Sequence, residues 1–252
     1  MGANTSYLWV ALLIVWCCCA GSVDAQNLIE TVKTGDVPAV QRILKQKKKK
    51  PFQINETDTE GLTSLMVATI ANDSVMVETL LNAGADPNAV TPQGVSVLHL
   101  VAFHNRDRFC KLIMQAGARP NVLDYRGQTP LHVACQTGAT NIITQLVDAG
   151  AYINLQDRKG NTPIIIACGN RHLGALEELL EKGAFVDSRD YQGRTAVMLL
   201  SVLGEDEMLR ILLRRKPDLS IVDYTGKSAL TYARLNRRWT IIQILKQAGA
   251  KY

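Results

Sequence analysis

Glycine recurs at Gly61, Gly94, Gly127, Gly160, Gly193 and Gly226, each 33 positions after the last. A fixed period of that size is the signature of a solenoid, in which one supersecondary unit is copied and each copy touches only its neighbours. A second column, Gly84-Ala85, Gly117-Ala118, Gly150-Ala151, Gly183-Ala184 and Gly249-Ala250, keeps the same spacing and is interrupted only at Lys216-Pro217. Two columns in register remove coincidence. The 252 residues, which by length alone would suggest two compact domains, instead count repeats of one elongated domain. With 47% hydrophobic and 20% charged residues and a net charge of +5, the composition excludes disorder of the whole chain.

Each unit carries the same local chemistry. Thr63, Ser96, Thr129, Thr162, Thr195 and Ser228 follow the first glycine column, and a hydroxyl there suits the start of a helix. Pro130 and Pro163 come next, at the first helical position, where a missing N–H costs nothing. Small residues Ala68, Ala134, Ala167 and Ala233 inside this helix allow close approach of its neighbours. A second helix presents Leu80, Ile113, Leu146, Leu179, Leu212 and Leu245, and the Gly after it is placed to end it in a left-handed turn. A single pair of such helices cannot bury its own apolar face, whereas stacked copies form a continuous core.

At Asp124-Tyr-Arg-Gly127-Gln-Thr-Pro-Leu-His132 and Asp157-Arg-Lys-Gly160-Asn-Thr-Pro-Ile the sequence resembles the ankyrin repeat. The resemblance implies an all-α ankyrin-repeat solenoid of helix-turn-helix units with projecting β-turn fingers. It covers residues 58–252 in repeats near 58–90, 91–123, 124–156, 157–189, 190–222 and 223–252. Residues 26–57 read as a degenerate capping helix pair, Leu28 to Gly35 and Pro38 to Leu44, followed by a Lys-rich loop; a polar terminal cap would have that form. At the other end, Arg234, Arg237 and Arg238 suit a solvated last face. Lys216-Pro217 puts the end of the fifth unit in question.

Residues 1–25 form a targeting segment. Tyr7 to Ala20 is apolar, and Val23-Asp24-Ala25 resembles a cleavage site that would leave Gln26 at the new N-terminus. A cleaved signal delivering the chain to the secretory pathway is the leading reading. The rivals are an uncleaved anchor with the repeats facing the cytosol, because Lys33, Arg42 and Lys47 to Lys50 all follow the run, and lipidation at Gly2 and Cys17 to Cys19. Export would make the sequons at Asn55 and Asn72 candidate glycosylation sites. Three of the six cysteines lie in this segment, so Cys110, Cys135 and Cys168 remain for the body. Cys135 and Cys168, one repeat spacing or about 10 Å apart, are too distant for a disulfide, so all three read as buried free thiols.

The sequence offers no catalytic constellation: no Cys-x-x-Cys in the body, no phosphate loop, no HExxH helix. His99 and His132 occupy the helix-start column, where the resemblance gives the imidazole a structural role tying neighbouring turns. No metal or cofactor is expected, and the chain reads as a non-enzyme. Lys47, Lys48, Lys49 and Lys50 suit a solvated loop or contact with anionic lipid, and with no aromatic residues interleaved they do not suggest nucleic acid.

What the resemblance implies is a monomeric protein-binding scaffold, with an enzyme's regulatory subunit as a further alternative. The residues after the Asp column fall on finger tips: Tyr125, Arg158, Tyr191 and Tyr224, flanked by Arg126, Lys159 and Arg194. On the concave side of the first helices the variable positions fall on Ile70, Phe103, His104, Gln136, Asn170, Val202, Leu203 and Leu235. Tyrosine and arginine are frequent interface anchors, and the basic fingers suggest an acidic partner. The competing interpretation is that the tyrosines only stack on neighbouring fingers and that Val202 and Leu203 pack inside the fifth unit.

Overall fold

The computed structural model describes residues 28–47 and 54–251. They form fourteen helices in antiparallel pairs: α1 (Leu28–Lys33) with α2 (Val37–Lys47), α3 (Ser64–Ile70) with α4 (Ser74–Asn82), and α5 (Val97–Phe103) with α6 (Asp107–Gln115). The stack continues with α7 (Pro130–Thr137) and α8 (Thr140–Asp148), α9 (Pro163–Gly169) and α10 (Leu173–Glu181), α11 (Ala196–Leu203) and α12 (Asp206–Leu213), and α13 (Ala229–Leu235) and α14 (Trp239–Gln247). First helices pack on first helices of the next unit and second helices on second helices, so contacts run along one axis. The targeting segment, with Cys17 to Cys19, and Lys48 to Lys50 lie outside the described residues.

The helix starts follow from their caps. Thr63, Thr129, Thr195 and Ser228 each accept a hydrogen bond from the backbone N–H three residues on. Thr162 differs: its buried Oγ1 makes no hydrogen bond among the described residues. The third helical position there is Ile165, where units two and three place a histidine ring.

The core is one row of apolar side chains from α1 to α14. The small column of Ala68, Ala134, Ala167 and Ala233 and the second-helix column from Leu80 to Leu245 are wholly buried. Cys110, Cys135 and Cys168 sit in this core as free thiols. Burial pushes the Cys110 and Cys168 thiols up to about 12 and lifts Cys135 as well.

Every described member of both glycine columns has positive φ. Lys216 takes the same left-handed turn, at φ +53°, so the fifth unit keeps the geometry of the others despite lacking the glycine. A third left-handed column, at Asn72, Asn105, Gly138, Arg171, Gly204 and Arg237, separates the two helices of every unit.

A ladder of side-chain to backbone hydrogen bonds locks successive units. Side-chain oxygens of Asn55, Asn88, Asn121, Asn154 and Asp187 accept the backbone N–H groups of Asp86, Arg119, Tyr152, Phe185 and Asp218. Each bond spans 31 residues of sequence, and all are 2.8 to 3.1 Å long. Asn55, singled out as a sequon, is the first rung, whereas Asn72 is an exposed residue of the left-handed column.

Candidate functional site

The fingers are tight hairpins held by a carboxylate at their base. Asp124 Oδ1 accepts the N–H groups of Arg126 and Gln128, and Asp157, Asp190 and Asp223 repeat the arrangement in the next three units. This spends the buried charge on main-chain donors and fixes the turn that follows the tip residue. Burial works to raise the Asp157 and Asp223 carboxyls, but these bonds, with the Tyr232 hydroxyl added at Asp223, hold both below the usual carboxylate range.

Backbone bonds join the tips into a continuous ribbon. Tyr125 N–H donates to Gln93 O, Arg158 to Arg126 O, Tyr191 to Lys159 O and Tyr224 to Gln192 O, at 2.8 to 3.1 Å. Pro92, which has no N–H, is pressed instead against Gly61. The Tyr191 and Tyr224 rings lie over Gly160 and Gly193 of the preceding finger, so the stacking alternative describes one side of each ring correctly. The other side faces water: Tyr125, Tyr191 and Tyr224 remain 54%, 61% and 74% exposed. Tyr191 and Tyr224 are therefore both packed and presented.

Of the flanking cations, Arg126 stacks its guanidinium over the Tyr125 ring at 5.1 Å, and Arg158 and Lys159 are exposed. Arg194 is half-buried and bound through Nε and Nη2 to Asp190 Oδ2, at 2.8 and 2.7 Å, so part of its charge is spent inside its own finger. Arg189, which the sequence did not single out, places its guanidinium over Tyr224 at 5.5 Å.

Tyr125, Arg126, Arg158 and Lys159 line one groove of about 340 Å³ together with Gln136, Ile166 and Asn170 from the first helices α7 and α9. Finger tips and first helices thus share a face. Along that face Phe103 is exposed and meets His104 edge to face, Leu235 is exposed, and Leu203 and Val202 are half-buried. Trp239, at the start of α14, is 72% exposed and was missed in the sequence, where it reads as one more apolar residue of a second helix.

The histidines work inside the stack. His99 Nδ1 accepts the Ser96 N–H, and its Nε2–H donates to Gln128 O of the next unit at 3.0 Å. His132 takes the Thr129 N–H in the same way, and its Nε2–H donates to Leu155 O at the end of its own unit. Burial lowers the pKa of both, outweighing nearby Asp124 and, for His132, Asp157. Among the described residues no group of His, Cys, Asp and Glu could hold a metal ion, and no helix is long and apolar enough to cross a membrane.

The family description "Ankyrin repeats (3 copies)" matches residues 98–190, and "Ankyrin repeat" matches residues 60–92. The chain belongs to the ankyrin repeat family. The crystal structure of the ankyrin repeat domain of Bcl-3, a member of the IkappaB protein family, superposes with a TM-score of 0.80 at 29% identity, covering 87% of this chain and 97% of that one. The NF-kappa-B inhibitor delta of Mus musculus is 48% identical over 50 residues, 20% of this chain and 15% of that protein. The palmitoyltransferase akr1 of Aspergillus oryzae (strain ATCC 42149 / RIB 40) is 38% identical over 77 residues, 30% of this chain and 10% of that protein. The likeness to the transferase is confined to ankyrin repeats. The ankyrin fold and its IkappaB-like relatives support a protein-protein interaction scaffold without catalytic activity.

Proposed function

We propose that this ankyrin stack holds a partner protein, of acidic character, on the concave face formed by its finger tips and first helices. The observation that carries the reading is the presentation of Tyr125, Tyr191 and Tyr224: each is fixed by a backbone bond to the preceding finger yet more than half exposed. Rigid aromatic side chains lose little entropy on docking, and Arg126, Arg158 and Lys159 stand beside them as further anchors, with Phe103 and Leu203 extending the surface. Arg194 contributes through the finger it braces.

A photo-reactive amino acid placed at Tyr125 or Tyr191 tests the reading, with Lys111 and Glu177, exposed on second helices, as controls. A defined partner cross-linked from the finger positions and not from the controls is the expected outcome. Cross-links confined to the second helices would refute it.

For its place in the cell we propose export, with removal of residues 1–25 and Asn55 and Asn72 as sites for glycan. The second reading is a membrane-tethered adaptor with cytosolic repeats, favoured by the apolar run followed at once by Lys33, Arg42 and the run Lys47 to Lys50 against lipid. N-terminal sequencing separates them, since Gln26 at the terminus excludes the anchor.

A further inference from the structure

The groove between the third and fourth fingers brings three cations, Arg126, Arg158 and Lys159, round one pocket. Some cations of the stack are paired: Arg194 with Asp190, Arg171 with Glu205, Lys182 with Asp148 and Lys33 with Glu30 and Asp58. Arg158 and Lys159 are exposed and form no ion pair among the described residues, and Arg126 comes no nearer than 4.0 Å to a carboxylate. The carboxylate in the groove wall, Asp157, makes no ion pair with them. It is 4% exposed, and both its oxygens are occupied by the N–H groups of Lys159, Asn161 and Gln128.

Asn170, which lines the groove, has its Nδ2 committed to Ile166 O. The volume of about 340 Å³ suits a few side chains and not a helix 10–12 Å across. Three cations around a pocket of that size, one of them flattened on an aromatic ring, have the donor fork that recognises carboxylates.

We propose that this groove is the seat for an Asp- or Glu-rich segment of the partner, whose carboxylates enter between Arg126, Arg158 and Lys159 while Tyr125 packs on its aliphatic carbons. The inference rests on the proposal that partners dock on the finger face, and it adds the location and the ligand chemistry. Recognition is then local and carried by three side chains, not by the mild excess of positive charge over the whole chain.

Selection of random dodecapeptides on the immobilised full chain tests this, with the charge-reversed variant Arg158→Glu/Lys159→Glu selected in parallel. Because both side chains are exposed and unpaired, the variant should keep the circular dichroism and melting curve of the parent. The parent should enrich Asp- and Glu-rich peptides, the reversed variant should enrich Lys- and Arg-rich ones, and Arg158→Ala/Lys159→Ala should weaken the acidic peptides by about tenfold or more. Peptides without acidic bias, no enrichment, or equal binding to vesicles of anionic lipid would overturn the inference. If the enriched peptides are neutral but are lost with Tyr125→Ala, docking on the finger face survives and the carboxylate seat does not. Peptides indifferent to every finger substitution would sink both.

Discussion

The imidazole of His99 joins two units of the stack: its Nδ1 takes the backbone N–H of Ser96 at 3.1 Å, and its Nε2–H reaches the carbonyl of Gln128 at 3.0 Å. The ring is buried. Replacing it strands a buried donor in one unit and a buried acceptor in the next, which costs roughly 1–3 kcal/mol for each group. His99→Ala should therefore lose about 3 kcal/mol in urea unfolding, while His104→Ala, half-buried at the end of α5, should lose well under 1 kcal/mol. Equal losses would show that the ring does not tie the units.

The same bonds set a pH dependence. His99 and His132 have folded-state pKa values below the ordinary 6.5, because burial disfavours the charged ring. Below 6.5 the unfolded chain therefore binds more protons than the folded one, so their contribution is fully present above that pH and is lost as pH falls toward the folded values. Asp157 and Asp223 act in a second window, since their stability is present above 3.8 and lost as pH falls through their depressed values. Melting temperatures across a pH series should fall in two stages, and His99→Gln with His132→Gln should flatten the first. A flat profile between about pH 7.5 and 5.5 in the parent would contradict the burial of two neutral rings.

Gly160 and Gly183 both have positive φ, but their surroundings differ. A Cβ at Gly160 would lie 2.4 Å from Tyr191 Cδ1 and 2.5 Å from the Tyr191 nitrogen, whereas one at Gly183 meets nothing within 4 Å. Gly183→Ala should cost only the backbone penalty, about 1 kcal/mol. Gly160→Ala must in addition push back the fifth finger and should cost about 3 kcal/mol or more. Chemical denaturation of the two variants gives the comparison, and similar costs would mean that the fourth and fifth fingers are not packed against each other.

These two glycines also show what a sequence can reveal. Positive φ selects glycine strongly, so the two glycine columns and the 33-residue period are plain in the order of residues alone. The third left-handed column is not, because Asn72, Asn105, Arg171 and Arg237 share it with Gly138 and Gly204, and no single residue type marks it. Lys216 looks like a break for the opposite reason: stacking in the fifth unit overrides a local preference worth about 1–2 kcal/mol. The Asn ladder from Asn55 to Asp187 escapes a linear reading because each side chain is satisfied by the next unit, 31 residues away. At the site, positions of the tip residues follow from the repeat register, but whether Tyr191 is presented or buried, and whether Arg194 is free or bound to Asp190, depends on side-chain packing that periodicity does not encode.

The three body cysteines should be chemically silent. Cys110 and Cys168 are buried, with thiols pushed up to about 12, and burial raises Cys135 in the same direction. Thiolate is the reactive form. Ellman's reagent at mild pH should label none of the three in the folded protein and all three after unfolding; rapid labelling of Cys135 in the native state would show that the core between α7 and α9 opens.

The most direct test of the central claim is the affinity of the cross-linked partner for the purified variant Arg158→Ala/Tyr191→Ala, measured by titration calorimetry beside Lys111→Ala/Glu177→Ala. If the finger face is the docking surface, the finger variant binds at least about tenfold more weakly at a nearly unchanged melting temperature, and the second-helix variant binds like the parent. Undiminished binding by the finger variant, or weakening explained by a collapse of its melting temperature, would contradict it.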